Sequence, residues 1–128
     1  DSTRTLRMLG IVDGEASVEV IAYFIVPFGI YESDAKRYLK HGMSLDATDD
    51  CELAPSVADA YQSRGVGSLV MGYLLSLLRQ LGRRRLALVG GVRGDNPRAI
   101  HFYEKFGFVK VGEFQSRDIV SYDMIAEL

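Results

Sequence analysis

The sequence predicts a mixed α/β domain, with a central and mostly antiparallel sheet that is flanked by helices. Two observations predict this class. Apolar residues between Gly65 and Leu81 recur with helical periodicity, whereas the apolar runs on either side have the length of strands. The predicted order is two strands, an insertion, a strand, a helix, a strand, a helix and two strands. The length fits a single domain over residues 1–128.

The chain opens with a predicted hairpin. Strands Thr5–Val12 and Ser17–Val26 flank Asp13-Gly14, a dipeptide that is favoured in hairpin turns. The second strand is nearly continuously apolar, which is typical of a strand that is covered on both faces. The second strand is therefore expected inside the domain.

A helix and a third strand are predicted next. Tyr31–His41 carries helix formers and is followed by Gly42, a typical helix stop. The polar segment Asp46–Asp50 is predicted as a loop. Cys51–Val57 is a short strand that contains Pro55, which cannot donate to a ladder and indicates an edge or a bulge. The helix residues predicted to share its buried side are Ala35, Tyr38 and Leu39.

The second half of the chain alternates helices and strands. Gly65–Leu81 is a predicted helix that ends at Gly82, with apolar positions 69, 70, 73, 74, 77, 78 and 81 forming one buried stripe. Leu86–Val92 is a predicted buried strand. Asn96-Pro97 combines an N-cap with a first helical position. The elements that follow are a helix through Phe106, which Gly107 stops, and the strands Phe108–Val111 and Ile119–Ile125.

Composition excludes several classes of function. The net charge of −2, from 15 Lys+Arg and 17 Asp+Glu, offers no electrostatic basis for binding nucleic acid. The longest apolar run, Val20–Phe28, is too short to span a bilayer, and no signal peptide is visible. The lone Cys51 cannot form an internal disulfide, so a cytoplasmic location is predicted. His41 and His101 lack partners at ligand spacing, so no metal site is predicted.

The stretch Gln62–Gly67 places two glycines just ahead of a helix. Unpaired N–H groups and the helix dipole make such a turn suitable for an anion, and glycine lets a phosphate approach the backbone. The alternative is that Gly65 and Gly67 only shape a tight turn. A P-loop is excluded because no Gly-Lys-Ser/Thr follows. A Rossmann fingerprint is excluded because Val70 replaces its third small residue and Leu86–Val92 contains no acidic residue.

Two motifs together resemble a known family. Gln62-Ser63-Arg64-Gly65-Val66-Gly67 resembles the Q/R-x-x-G-x-G/A motif of the GNAT superfamily of N-acetyltransferases. The run from Asn96 to Phe108, which includes Tyr-Glu-Lys-Phe-Gly-Phe, resembles its second signature. The resemblance is good over Cys51–Leu128 and loose over Thr5–Val26. Residues 29–50 match nothing in the family and are an atypical insertion, and the family's N-terminal helices are not seen.

The resemblance implies a GNAT-like fold and acetyl-CoA as cosubstrate, without a metal. The glycine turn would bind the pyrophosphate, and the edge of the preceding strand would pair with pantetheine. Asn96 would cap its helix and contact the cofactor, and Tyr103 would lie near the thioester sulfur. The residues so implied to bind the cofactor are Val57, Ala58, Asp59, Gln62, Ser63, Arg64, Gly65, Val66, Gly67, Ser68, Asn96 and Tyr103.

The resemblance also implies two catalytic residues. Tyr103 would act as general acid toward the departing thiolate, the alternative being a plain helix-core residue. Glu52 would act as base, through water, the alternative being a solvated carboxylate on a strand. A backbone N–H near Val57 would polarise the thioester carbonyl. Asp46, Asp49 and Asp50 are expected to line the access of the cationic amine together with Glu52.

Other features are assigned no chemistry. Arg83-Arg84-Arg85 is predicted to be a solvated helix end rather than a site for RNA or for the 3′-phosphate of CoA, and Cys51 is predicted to be a buried thiol. The helix Tyr31–His41 fits a cover, a dimer contact or simple packing, so a homodimer stays open.

The sequence thus favours an N-acetyltransferase that acts on a primary amine by direct attack. The alternative is a non-catalytic acyl-CoA sensor or interaction module on the same fold. A nucleotide binder unrelated to CoA has little support, and the acceptor amine is not identified.

Overall fold

The computed structural model describes residues 5–13, 18–27, 29–57 and 66–128. Within these ranges the chain forms three helices and a seven-stranded sheet. The helices are α1 (Glu32–Lys40), α2 (Val66–Gln80) and α3 (Pro97–Lys105). The strands are β1 (Thr5–Asp13), β2 (Val18–Pro27), β3 (Asp50–Val57), β4 (Arg85–Leu88), β5 (Val92–Arg93), β6 (Phe108–Ser116) and β7 (Ile119–Glu127). No described helix is both long and apolar enough to cross a bilayer.

The sheet is mixed, as predicted. Its order is β1-β2-β3-β4-β7, and β3–β4 is the one parallel pair among the described strands. One edge of β7 pairs with β5 at Ser121 and Tyr122 and with β4 from Ile125 to Glu127, while its other edge pairs with β6. The prediction of one continuous strand over Leu86–Val92 is wrong. Gly90 and Gly91 adopt φ values of 67° and 70°, so the backbone turns and pairing with β7 resumes only at Val92.

One face of the sheet carries α2 and α3. Alternate side chains of β3, β4 and β7 meet α2 there, together with Phe24 and Val26. The predicted buried stripe of α2 is one residue out of position, because Leu69 and Tyr73 are 62% and 66% exposed. Apolar residues cover more than one side of this helix, and the sheet buries the side that includes Met71. The residues of α2 that are buried are Val70, Met71, Leu74, Leu75 and Leu78.

The opposite face carries α1, which lies between β2 and β3 in the chain. Tyr38 is fully buried against Ala87 and Ile125, and Gly42, at φ 86°, ends the helix as predicted. Leu39 was predicted to be buried but is 61% exposed. Asp34, a residue from the polar part of the pattern, is buried instead. This face of the sheet is therefore closed by a helix whose buried side contains charged groups.

Candidate active site

The parallel strands β3 and β4 separate in the middle of the sheet. They pair from Asp50 opposite Arg85 to Leu53 opposite Leu88, and Val89 N–H then donates to the Leu53 carbonyl at 3.0 Å. Beyond Leu53, β3 pairs only with β2 among the described strands, so the edge of β3 that faced β4 is open there. This agrees with the edge position predicted from the proline in β3. An open edge supplies backbone groups to an extended ligand.

The N-terminal turn of α2 lies close to the end of α3. Val66, Gly67 and Ser68 form this turn, whose N–H groups have no acceptor within the helix. Lys105 Nζ donates to Ser68 Oγ at 2.8 Å, and the first turn of α2 contains no acidic residue. A cation and a helix N-terminus therefore meet at the predicted phosphate site. Lys105 was missed from the sequence, although it lies within the second signature.

The rest of the predicted cradle lies outside the described residues. This applies to six predicted cofactor-binding residues, so their contacts with a pyrophosphate stay a prediction. These residues are Ala58, Asp59, Gln62, Ser63, Arg64 and Gly65. The backbone of Val57, the last residue of β3, pairs with that of Ala22.

Helix α3 positions two predicted site residues. The side chain of Asn96 accepts from Ala99 N–H at 3.1 Å, which confirms the predicted N-cap. Tyr103 packs edge-on against Phe102 and Phe108, with ring centroids 5.5 Å away in each case. Burial raises the pKa of Tyr103 to about 12, so its phenol is protonated at neutral pH. Tyr103 is thus a packed residue with a proton to donate, and its catalytic role stays a prediction.

Glu52 is buried beneath α1. It points toward the face opposite Leu53 and is 0% exposed, so the alternative of a solvated carboxylate is wrong. Tyr31 N–H donates to Glu52 Oε2 at 3.5 Å, whereas Oε1 receives no hydrogen bond from a described residue. Burial and the neighbouring Asp34 carboxylate raise the pKa of Glu52 to about 9. Glu52 thus holds a proton at neutral pH in this arrangement.

Charged side chains bind α1 to the sheet around Glu52. The carboxylate of Asp34 accepts from Gly90 N–H at 3.2 Å and from Arg37. Arg37 also donates twice to Asp123 of β7, each time at 3.0 Å, and His41 Nε2 lies 3.0 Å from the same carboxylate. None of these residues was singled out as a partner of Glu52. The available signal in the sequence is the spacing of Asp34, Arg37 and His41, which are three and four residues apart and therefore share one side of a helix.

One of the carboxylates predicted to line the amine access, Asp50, is not available to an amine. Asp50 is 1% exposed and accepts two hydrogen bonds from Arg85, at 3.0 and 2.7 Å. It is therefore neutralised rather than free to attract an amine. Arg85 was predicted to be solvated, but its side chain is only 11% exposed because β4 places it opposite Asp50. The carboxylate that accompanies Glu52 is Asp34, not Asp50.

Within the described residues, no group of three or more His, Cys, Asp and Glu side chains is arranged to hold a metal ion.

Comparisons with known proteins agree with this geometry. The family model described as "Acetyltransferase (GNAT) family" matches residues 18–108. A search of curated protein sequences finds no significant match. The ribosomal-protein-S18-alanine N-acetyltransferase from Escherichia coli is 21% identical, with a TM-score of 0.70 over 99% of this chain and 71% of that chain.

Two further solved structures have the same fold. A GNAT-family acetyltransferase from Streptococcus pneumoniae is 19% identical, with a TM-score of 0.73 over 97% of this chain and 66% of that chain. A spermidine N-acetyltransferase chimera of Vibrio cholerae and hSSAT is 18% identical, with a TM-score of 0.67 over 98% and 70%. The chain thus spans about two thirds of their lengths. The separated parallel strands, the signature helices and a family model that matches most of the sequence lead to one conclusion: the chain belongs to the acetyltransferase (GNAT) family.

Proposed function

We propose that this protein transfers the acetyl group of acetyl-CoA to a primary amine by direct attack on the thioester. The observation that carries the proposal is the separation of β3 from β4 beyond Leu53 in a chain of an acetyltransferase family. The acceptors named for two of its structural neighbours, a ribosomal-protein alanine and spermidine, are both amines.

The open edge of β3 and the start of α2 bind different parts of the cosubstrate. Pantetheine pairs with the edge near Val57, and the pyrophosphate binds at the turn Gln62–Ser68. Lys105 adds a positive charge there, since its ammonium lies 2.8 Å from Ser68 Oγ. Asn96 is the second contact in the proposal, through the amide nitrogen that its capping bond leaves free. Charge-assisted bonds of this kind are stronger than neutral ones.

The reaction needs a neutral amine and a leaving thiolate. A free alkyl amine has a pKa of about 10.4, so a base must remove its proton, and Glu52, once it has lost its own proton, is the candidate. The nitrogen attacks the carbonyl carbon, which a backbone N–H near Val57 polarises, and the carbon–sulfur bond breaks. Tyr103 then donates a hydrogen bond to the sulfur. Since a thiol has a pKa of about 8.5, below that of Tyr103, this bond stabilises the thiolate without complete proton transfer.

One observation favours a second candidate function. Glu52 is fully buried beneath α1, so in this arrangement no amine reaches it. A non-catalytic module that binds acyl-CoA on the same fold would have no need for an accessible base. Binding of CoA without turnover is the expected behaviour of such a module.

Turnover of acetyl-CoA with a panel of primary amines, followed by release of free thiol, tests the proposal. We expect amine-dependent release, and Tyr103→Phe is expected to lower kcat by about 10²-fold or more while the Kd for acetyl-CoA changes little. Tyr73→Phe, on the exposed side of α2, is the matched control and should change neither value. Tight binding of CoA without thiol release from any amine would favour the second candidate.

A further inference from the structure

We propose that Asp34 of α1 and Glu52 of β3 together form the binding site for the protonated amino group of the acceptor. The ligand class is a primary alkylammonium ion, and it displaces the proton that Glu52 carries. This inference rests on the proposed function, because it assigns the place where that function's amine binds.

The two carboxyl groups lie on facing elements and are almost completely buried. Asp34 is 2% exposed and Glu52 is 0% exposed, and Glu52 Oε1 receives no hydrogen bond from a described residue. No described residue donates to this oxygen, so a proton on the carboxyl group or a donor from a ligand has to fill that place. An alkylammonium ion carries three N–H donors and no acceptor, which is the complement of this pair.

The charged groups around the pair would be balanced by one more cation. Arg37 is shared between Asp34 and Asp123, and His41 contacts Asp123. Glu52 has no cationic partner among the described residues. Arg37 compensates the charge of Asp34, whereas burial and the neighbouring Asp34 carboxylate favour the neutral form of Glu52, so Glu52 carries a proton when no ligand is bound. The hydroxyl of Tyr38, another titratable group near the pair, donates its hydrogen bond to the Met124 carbonyl.

The pair also lies next to the place where the thioester is proposed to bind. Asp34 accepts from Gly90 N–H, and the preceding residue, Val89, makes the last hydrogen bond that joins β4 to β3. Both contacts belong to the turn at which the two strands separate. An ammonium group held by Asp34 and Glu52 is therefore adjacent to the open edge of β3.

Access to the pair depends on the start of α1. The second half of the helix is held firmly by Arg37 and His41 at 3.0 Å and by the Tyr38 hydroxyl at 3.1 Å. Ahead of the helix, Tyr31 N–H reaches Glu52 only at 3.5 Å, the outer limit of a hydrogen bond, and its side chain is 53% exposed. Residues 29–31 can therefore move aside while α1 stays attached to β7.

The protons balance in two steps. When the alkylammonium binds, the proton of Glu52 leaves for solvent, and the two carboxylates carry two negative charges beside the one positive charge of the ligand. One ammonium proton then passes to Glu52, which restores its proton and leaves a neutral amine. The amine nitrogen forms a bond to the thioester carbonyl carbon, the carbon–sulfur bond breaks, and the second proton that the nitrogen loses passes to the leaving sulfur, which becomes the thiol of CoA.

Calorimetry with butylammonium as the probe tests the site without requiring turnover. The protein is saturated with CoA at pH 7.5, and the titration is repeated in buffers that differ in ionisation enthalpy. We expect release of close to one proton per bound butylammonium. Asp34→Asn and Glu52→Gln should each weaken binding at least tenfold, and Glu52→Gln should also abolish proton release. Glu32→Gln, a carboxylate on the exposed side of α1, is the control and should change neither.

Each outcome decides the proposal. Absence of butylammonium binding to the wild type, or unchanged binding and proton release in both variants, would overturn it. Circular dichroism checks the fold, and if Glu52→Gln does not fold, Asp34→Asn alone decides. A wild type that transfers no acetyl group but shows binding that both variants lose would refute the proposed transferase and keep the ammonium site.

Discussion

The imidazole ring of His41 lies so close to the backbone of Gly112 that a Cβ there would overlap the ring. Gly112 is at a register shift in β6 and is the partner of Asp123, whose carboxylate His41 also contacts. The missing side chain therefore makes room for the ring that joins α1 to β7.

Gly112→Ala is expected to lower the free energy of unfolding by about 1–3 kcal/mol, since the new methyl group displaces a packed ring. Urea denaturation measures the change. Gly72→Ala is the matched control, because a Cβ on Gly72 meets nothing within 4 Å and alanine favours its helix by about 0.5–1 kcal/mol. Adding His41→Ala to Gly112→Ala should recover part of the loss. Equal stability of Gly112→Ala and wild type would contradict this packing.

Glu52→Gln is expected to make stability less dependent on pH. Burial, with Asp34, raises the pKa of Glu52 from 4.5 to about 9, so the folded state keeps a proton that the unfolded state releases. The stability that protonated Glu52 contributes is therefore fully present below about pH 4.5. It falls as pH rises toward 9, by at most about 1.4 kcal/mol per pH unit.

The advantage of Glu52→Gln over wild type should accordingly grow between about pH 5 and pH 8, measured as urea unfolding free energies. Glu32→Gln, an exposed carboxylate on α1, should follow the wild-type curve. Parallel curves for wild type and Glu52→Gln would show that Glu52 is ionised in the folded state.

Arg85→Met is expected to cost about 3–5 kcal/mol of stability at neutral pH, because it leaves the buried Asp50 carboxylate without its guanidinium. Burial alone would raise the pKa of Asp50, but the hydrogen bonds from Arg85 and Asp46 outweigh burial and the pKa is lowered. The stability contributed by the Asp50–Arg85 pair is present above the ordinary pKa of an aspartate and is lost as pH falls through the lowered pKa of Asp50. The stability lost in Arg85→Met should therefore become smaller in acid. Arg93→Gln, which breaks an exposed pair with Asp95, should have no measurable effect.

Lys105→Gln is expected to weaken CoA binding by about 0.5–1 kcal/mol, a few-fold in Kd, since it removes a positive charge beside the N-terminal turn of α2. The loss should be larger at low salt, because exposed charges are screened. Calorimetry at two salt concentrations measures both. Lys36→Gln, on the exposed side of α1, is the control. If both variants bind CoA like wild type at low salt, Lys105 does not contact the phosphates.

The elements with local signals were predictable from the sequence. The Asn96 cap, the glycine that ends α1 and the first hairpin each depend on neighbouring residues. The buried side of α2 was not predictable in detail, because apolar residues surround much of that helix and the sheet selects among them. The only sign in the sequence of the turn at Gly90 is the glycine pair Gly90-Gly91.

The candidate site divides in the same way. The motif residues at the start of α2 and in α3 could be assigned from the order of their types along the chain. The surroundings of Glu52 could not, since Asp34 comes beside it only when α1 folds back over the sheet, where Arg37 binds Asp123, 86 positions away. No local pattern reports that a helix lies over the strand that carries Glu52.

The contacts that hold α1 in place span most of the chain. Arg37 and Asp123, and likewise Tyr38 and Met124, are 86 positions apart. A ribosome completes α1 long before β7 emerges, so the helix lacks its polar contacts with β7 until synthesis reaches Asp123. The acidic pair is then among the last parts of the protein to assemble. By the same connectivity, release of α1 is expected as a local opening that exposes Glu52 while the α2 face of the sheet stays protected from hydrogen exchange.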